Sequence, residues 1–545
     1  MSEKAKIFLL LTGSALMTGL SVTFSKYFGI FEWISLAPMI IALNMICRAE
    51  KIKPGRVYLF GLFYFEILYA VCFHWFISLY PLDFTGLNNF YSVLVIITAW
   101  FGLPLLQALT GGLVFLIYFA ISRTELAKKH AVVNVIALPC VYTFYEFTQT
   151  LGWWGVPWGR LSLGQSEALY HIQTASLFGS YFITATLLFV NSFIAFCILS
   201  CKTREKAKKM YAISALAVYS FNLIAGISLY YAEEKRITDS EKITVGVIQG
   251  NISSTEKWYT EKEGILDRHI RLTEESANAG ADVVIWAETA LPMSYKKGGT
   301  YCTQISELAR KHGITILVGA LEGSEALDRN AIICYHTDGT RDDVIYAKRH
   351  LVPFGEYVPM RSVIETCLPF LTEISILGED WMPGDDSAIF NTGSGNIGSL
   401  LCFDSIYETL ARDSVNDGAE LLAISTNDSW FSDSAAIYMH NNQARMRAVE
   451  NGRFVARSAN TGMSSFITSN GKVISTIPAL ETGYLNCELT LLSHKTLFTT
   501  IGNAFVYLLG AAATIPFAYE AFLKIKARYS TDNANNSLQK GDYHE

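Results

Sequence analysis

Three apolar, strand-like runs each end on a side chain that could do chemistry. VVIWAE closes on Glu288, VIYAK closes on Lys348, and SLLC closes on Cys402. In α/β folds, ligands and catalytic groups gather at strand ends. The three types are complementary. A thiol attacks only as the thiolate, and a nearby ammonium favours that form. A carboxylate can take the proton, and a lysine can hydrogen-bond a tetrahedral oxyanion. Together they suffice for acyl transfer through a thioester. Each also has a plainer reading: Cys402 as a packed strand thiol, Glu288 as a helix-capping partner before the turn at Pro292, Lys348 as a salt-bridged edge residue. Context has to decide.

The segments that must position these residues read as alternating strands and helices. ITVGVIQG (243–250), ADVVIWAE (281–288) and ITILVGAL (314–321) are separated by helical stretches near 260–279 and 300–312. NAIICYHTDG and DDVIYAKRH follow as a hairpin around a D-G turn. IGSLLCFDS (397–405), ELLAISTND (420–428), a helix near 435–451 and the closing strands FVARSANTG and SSFITSNGKVIS complete the pattern. This is an α/β sandwich with buried strands. The helix QARMRAVENGRFVARSANTG carries Arg445, Arg447, Arg453 and Arg457. These fit either a cationic surface for lipid headgroups or structural ion pairs with Glu450, and the second is favoured.

The rest of the chain is of another kind. Half of the 545 residues are apolar and only 17% are charged, and the mean hydropathy is positive, as in membrane proteins. Apolar runs near 6–24, 30–47, 57–80, 91–121, 131–149, 178–200, 210–231 and 499–523 are long enough to cross about 30 Å of hydrocarbon, giving eight spans. In the overlong run at 91–121, Pro104 and the Gly111–Gly112 pair predict a kink or a re-entrant break. The first run follows Lys4 and Lys6, lacks an A-x-A-like site and is followed at once by another span, so it reads as a span and not a cleaved leader. Trp153, Trp154 and Trp158 read as interfacial anchors, in a loop that could also line a lipid entry portal.

Twelve Lys and Arg residues in the loops at 48–56, 122–130 and 201–209 face two in the alternate loops. The positive-inside bias therefore puts both termini in the cytoplasm and residues 232–498 outside. The organisation expected is a transmembrane domain of about seven spans (1–231), an extracytoplasmic catalytic domain (232–498), a C-terminal transmembrane helix (499–523) and a cytoplasmic tail (524–545). The net charge of −6 argues against nucleic acid as a partner. Ten scattered cysteines form no CxxC pair, so no metal site is legible. Neither a phosphate-binding loop nor a dinucleotide fingerprint is present, and no cofactor is expected. Outside the membrane an acyl transfer must draw on an ester already formed, and the ester at hand is a phospholipid.

WAETALP, the K-x7-E spacing of KRHLVPFGEYVP, LLCFDS and TNDSWF are jointly specific, and they resemble the nitrilase (carbon–nitrogen hydrolase) superfamily. With its spans the chain is similar to a membrane branch of that superfamily, the apolipoprotein N-acyltransferase family, whose membrane-part signature GVPWGRLSLGQ (155–165) also resembles. The resemblance implies an αββα nitrilase-like sandwich beside a polytopic helical domain. It implies Cys402 as nucleophile, Glu288 as general base and Lys348 as stabiliser of the transition state. Glu356 would support the lysine and the thiol, Trp258 would face substrate, and Asn330 would be a structural or active-site asparagine. Phe403 and Asp404 stand where the family has tyrosine or phenylalanine and then glutamate; the aspartate is one methylene shorter. His440 matches a histidine that follows TNDSWF.

The implied reaction is N-acylation of the diacylglyceryl-cysteine of apolipoproteins from a phospholipid donor, the last step of bacterial lipoprotein maturation. The implied setting is the inner membrane, with the catalytic domain in the periplasm and the enzyme a monomer. The alternatives are a membrane-tethered amidase or nitrilase, with water as acceptor, and a lipid transporter carrying an inactive nitrilase-like domain.

Overall fold

A computed structural model describes residues 1–541 apart from 83–87, 153–154, 201–204, 254–256, 258–261, 296–298, 325–326 and 368–379. Among the described residues, eight helical segments are long and apolar enough to cross a membrane. They contain α1 (Glu3–Thr23), α2 (Ala37–Arg48, the end of an apolar segment from Ser25), α3 (Pro54–Cys72), α4 (Asn89–Ser122), α5 (Ala131–Thr148), α6 (Ser180–Ser200) and α7 (Glu205–Thr238). The eighth opens the last helix, described below.

The break expected in the overlong run is not there. Helix α4 continues through Pro104 and both glycines. The pair lies where α3 packs closest: a Cβ on Gly111 would come within 2.6 Å of the Phe65 ring, and one on Gly112 within 2.7 Å of the Tyr58 ring. Small residues there let two helices approach without the hydrophobic drive that water supplies.

Helix α7 leads almost directly into the sandwich. Its first sheet has the order β13-β1-β2-β4-β5-β6, with β3 also paired to β4. The strands are β1 (Lys242–Gln249), β2 (Val283–Trp286), β3 (Leu291–Tyr295), β4 (Thr315–Ser324), β5 (Leu327–Tyr335) and β6 (Arg341–Ala347). The second sheet runs β12-β11-β10-β9-β8-β7, from β7 (Ile389–Asn391), β8 (Asn396–Leu401), β9 (Leu421–Thr426), β10 (Phe454–Ala459), β11 (Ser464–Ile467) and β12 (Val473–Ile477); β13 (Gly483–Thr490) returns to pair with β1. The sheets face each other through β1–β2 and β9–β10. Ser425 donates to the Trp286 carbonyl at 2.8 Å and Ser458 to the Ile248 carbonyl at 2.9 Å, satisfying hydroxyls that burial would otherwise leave costly.

Helices α8 (Lys262–Asn278) and α9 (Thr300–His312) flank the first sheet through a core that includes Ile305, Leu308, Ile316 and Ile333. Helices α10 (Glu408–Asn416) and α11 (Ala435–Asn451) flank the second, and the chain ends in α12 (Ala504–Gly541). The architecture is thus the αββα sandwich of the nitrilase-like fold beside a multi-span helical region.

Beyond the exposed Tyr438 in its first turn, helix α11 is buried on every side because its outer face meets the helical part of the chain. Asn442 reaches Ser25, Gln443 reaches the Pro157 carbonyl and Arg445 reaches the Ser166 carbonyl at 2.7 Å. The segment 155–165 forms this seam. The Leu161 amide is held by Glu146 at 2.8 Å, Gln165 by Glu32 at 2.8 Å, and Arg160 pairs with Glu408 at 2.8 Å with both side chains 1% exposed. One hydrophobic core runs without interruption from Leu11 and Phe65 to Val455. The arginines of the C-terminal part are interior groups: Arg447 pairs with Glu450, Arg457 with Asp428, and Arg453 caps backbone carbonyls. That is the structural reading of the sequence. Trp158, expected as an interfacial anchor, is buried against Trp75 and His440.

Candidate active site

Glu288, Lys348 and Cys402 follow β2, β6 and β8, and the two facing sheets bring these strand ends together. Lys348 is buried, and its backbone amide donates to the Asn330 carbonyl at 2.8 Å, continuing the β5–β6 ladder. Its Nζ donates to Glu288 Oε1 at 2.8 Å and Glu356 Oε1 at 2.7 Å. Asn330 Nδ2 donates to the same two carboxylates, at 2.7 and 3.2 Å. The second oxygen of each carboxylate takes a backbone amide: Asn427 N for Glu288, at 2.9 Å, and Val352 N for Glu356, at 2.8 Å. A buried charge this fully partnered keeps its geometry.

Cys402 is partly exposed where β8 turns into a short 3-10 segment. Its φ of 48° is left-handed, a conformation that costs a non-glycine residue about 1–3 kcal/mol. The carbonyl of Cys402 is held by the Ser405 hydroxyl at 2.7 Å and by His440 Nε2 at 3.2 Å. His440 is itself oriented by Asp428 at 2.9 Å, which also binds Arg457 at 2.6 Å. His440 is therefore next to the thiol. Asp428 and Arg457, which orient it, escaped the sequence reading as site residues; Asp428, just beyond the end of β9, was open to the same strand-end reasoning.

The electrostatics separate the partners. Burial raises the Cys402 thiol, the Glu288 carboxylate adds to that rise, and Lys348 only partly offsets it, so the resting sulfur is protonated. Burial works to raise Glu288 as well, but Lys348 overcomes it and holds the carboxyl below its ordinary range. Burial works against the Lys348 ammonium; Glu288 and Glu356 overcome it and hold the group charged. The rest state is thus thiol, carboxylate and ammonium.

Asp404 is fully buried and accepts from Tyr346 Oη at 2.8 Å, His350 N at 2.7 Å and Arg349 N at 3.2 Å. Burial raises its carboxyl to about 6 against these donors. It ties the turn after Cys402 to the segment after Lys348. Phe403 packs edge-on against Tyr407 at 5.5 Å. Trp258 lies outside the described residues, as do Trp153 and Trp154. A second buried lysine, Lys257, hydrogen-bonds the Thr289 hydroxyl beside Glu288; its neighbour Trp258 was singled out from sequence and it was not. Gly319 on β4 was also missed. A Cβ there would lie 2.2 Å from the Ala287 carbonyl and 2.9 Å from Glu288 Cα, so only glycine lets Glu288 sit where it does. Cys402, Asp428 and His440 place three possible metal donors near one another, but Asp428 is already occupied by Arg457 and His440.

Two families match the chain: carbon-nitrogen hydrolase over residues 244–494 and the apolipoprotein N-acyltransferase N-terminal domain over residues 14–193. Curated relatives named apolipoprotein N-acyltransferase include one from Geobacter metallireducens, 27% identical over 89% of each chain. Another, from Gloeobacter violaceus, is 27% identical over 89% of each chain. A third, from Borreliella burgdorferi, is 25% identical over 93% of this chain and 94% of its own. With both matched regions in the order and places that the two structural parts occupy, this chain belongs to the apolipoprotein N-acyltransferase family.

Proposed function

We propose that the protein moves an acyl chain from a membrane phospholipid to the α-amino group of an N-terminal diacylglyceryl-cysteine on an apolipoprotein, through a thioester on Cys402. The observation that carries this reading is the convergence of a strained, partly exposed thiol with a carboxylate and an ammonium that share hydrogen bonds at 2.8 Å.

In the first half-reaction Glu288 takes the Cys402 proton as the sulfur attacks the ester carbonyl. Lys348 stabilises the oxyanion. The carbon–oxygen bond of the ester breaks, the lysophospholipid oxygen takes the proton from Glu288, and the thioester remains. In the second, the acceptor amine attacks the thioester carbonyl and gives a proton to Glu288. The carbon–sulfur bond breaks, and the departing thiolate recovers that proton, leaving an amide. Glu288 serves both halves, and Lys348 stays charged throughout. Ester to thioester to amide needs no nucleotide, and the order is ping-pong. Glu356 and Asn330 act by holding Lys348 and Glu288.

The proposed setting is the bacterial inner membrane, with both termini cytoplasmic and residues 232–498 periplasmic, as supported by the excess of Lys and Arg in alternate loops. Residues 1–231 and 499–523 would be the membrane parts and 524–545 a cytoplasmic tail. Both substrates are anchored in the bilayer by acyl chains, so fixing the sandwich to the spans brings them to the sulfur.

The test is the intact mass of purified protein after incubation with phospholipid, with Cys402→Ala alongside. A hydroxylamine-labile gain of one acyl chain, absent from the variant, is expected. A well-folded protein that never acquires it would sink the thioester route.

A further inference from the structure

Lys257 takes no part in the steps above, yet it is 3% exposed, a rare position for lysine unless it is paired. Its Nζ hydrogen-bonds the Thr289 hydroxyl and lies 3.4 Å from the Glu288 carbonyl oxygen. Both partners are uncharged, so this is not a closed structural ion pair; the charge that acts on it is that of Glu288, joined by Cys402 when the thiol is ionised. Thr289 sits at φ 44°, a left-handed conformation that a β-branched residue resists. The tie from Lys257 gives that backbone a reason to persist, as Ser405 and His440 do for Cys402.

The charge balance points the same way. Lys348 is shared between Glu288 and Glu356, two carboxylates on one ammonium. Moving a proton from Cys402 to Glu288 leaves that excess negative charge in place and concentrates part of it on sulfur. A further cation beside Glu288 neutralises it.

Building on the thioester reading, we infer that Lys257 is a positioning residue of the acylation step, fixing the Glu288–Thr289 backbone and supplying the positive charge that the Glu288 and Cys402 pair lacks. The groups facing it are Glu288 and Thr289 after β2, Cys402 after β8, and His269 of α8, whose pKa burial lowers to about 4 so that it stays neutral. Burial, partly offset by Glu288 and Cys402, brings the Lys257 ammonium down to about 8. The cation is present below that pH and is lost as pH rises through it.

The experiment follows the rate of the hydroxylamine-labile adduct on the full chain in detergent with phospholipid, from about pH 6 to about pH 10, spanning the ordinary lysine range. Wild type, Lys257→Met and Lys257→Arg are compared, with thermal unfolding run on each. Wild type is expected to lose rate above about pH 8. The Met variant should be slower by roughly a hundredfold at neutral pH, the lower end of the scale of one lost electrostatic contact, and should lack that decline. The Arg variant should recover rate and also lack the decline, because its charge does not titrate in this range. A Met variant with the wild-type rate overturns the inference. So does a decline near pH 8 that persists in either variant, since it then belongs to another group; the Arg variant decides this if the Met variant does not fold. A wild type that forms no adduct removes the thioester reading and this inference with it.

Discussion

Asp404, two residues beyond Cys402, accepts a hydrogen bond at 2.7 Å from the backbone amide of His350, two residues beyond Lys348. The strand that delivers the thiol and the strand that delivers the ammonium are thereby fastened together just past their reactive ends. Asn at 404 keeps one acceptor oxygen and turns the other into a donor facing an amide N–H. Asp404→Asn is expected to cost about 1–3 kcal/mol of stability, the penalty of an unsatisfied buried group, and to slow thioester formation by shifting Lys348. Thermal unfolding and adduct rate both unchanged would show that the fastening is dispensable.

Glu356 and Glu288 share Lys348 but differ in what they can do. Glu356→Gln removes a charge that supports the lysine, so the adduct should still form, slowed by roughly a hundredfold. Glu288→Gln removes the proton acceptor and should leave no adduct. Time courses by intact mass separate the two; equal effects would contradict the division of roles.

Gly319→Ala tests the packing behind the base. The added methyl meets the Ala287 carbonyl at 2.2 Å, and relieving it costs about 1–3 kcal/mol in a tight core. Backbone displacement at Glu288 should make the loss of acylation larger than the loss of stability alone explains. An alanine variant with wild-type adduct kinetics would show that the base tolerates the shift.

Burial works to raise the Glu408 carboxyl, but Arg160 and Arg447 overcome it and hold it down to about 2. A depressed carboxylate contributes stability that is present above its unfolded value, about 4.3, and is lost as pH falls through its folded one. Glu408→Gln leaves Arg160 buried without its partner and should cost about 3–5 kcal/mol at neutral pH. It should also flatten the fall of the unfolding temperature between about pH 4 and pH 2. An unchanged acid profile in the variant would assign that dependence elsewhere.

Much of this was legible because its causes are local. Strand ends carrying Glu288, Lys348 and Cys402, the helix at 435–451 and the hairpin around D-G follow from residue type and period. What was not legible depends on neighbours distant in sequence. Gly111 and Gly112 look like a break until Phe65 and Tyr58 are seen against them. Trp158 looks like an anchor until His440, almost three hundred residues on, is found beside it. Lys257 is one lysine among many until burial sets it against Thr289. The arginines of α11 and β10 were read correctly as structural, since Glu450 lies one helical turn from Arg447.

Helix α7 has 34 residues, about 51 Å at the usual rise, while the hydrocarbon it crosses is about 30 Å thick. The excess leads into the first strand only a few residues later, and the catalytic half is welded to the bundle by a common core. Three residues, Asp239 to Glu241, separate that helix from the strand. In the proposed reaction the sulfur would hold one height above the lipid, like a fixed nozzle, and selection would fall on the visitors: a donor or acceptor would be processed only if its own anatomy lifted the reacting carbonyl or amine to that level.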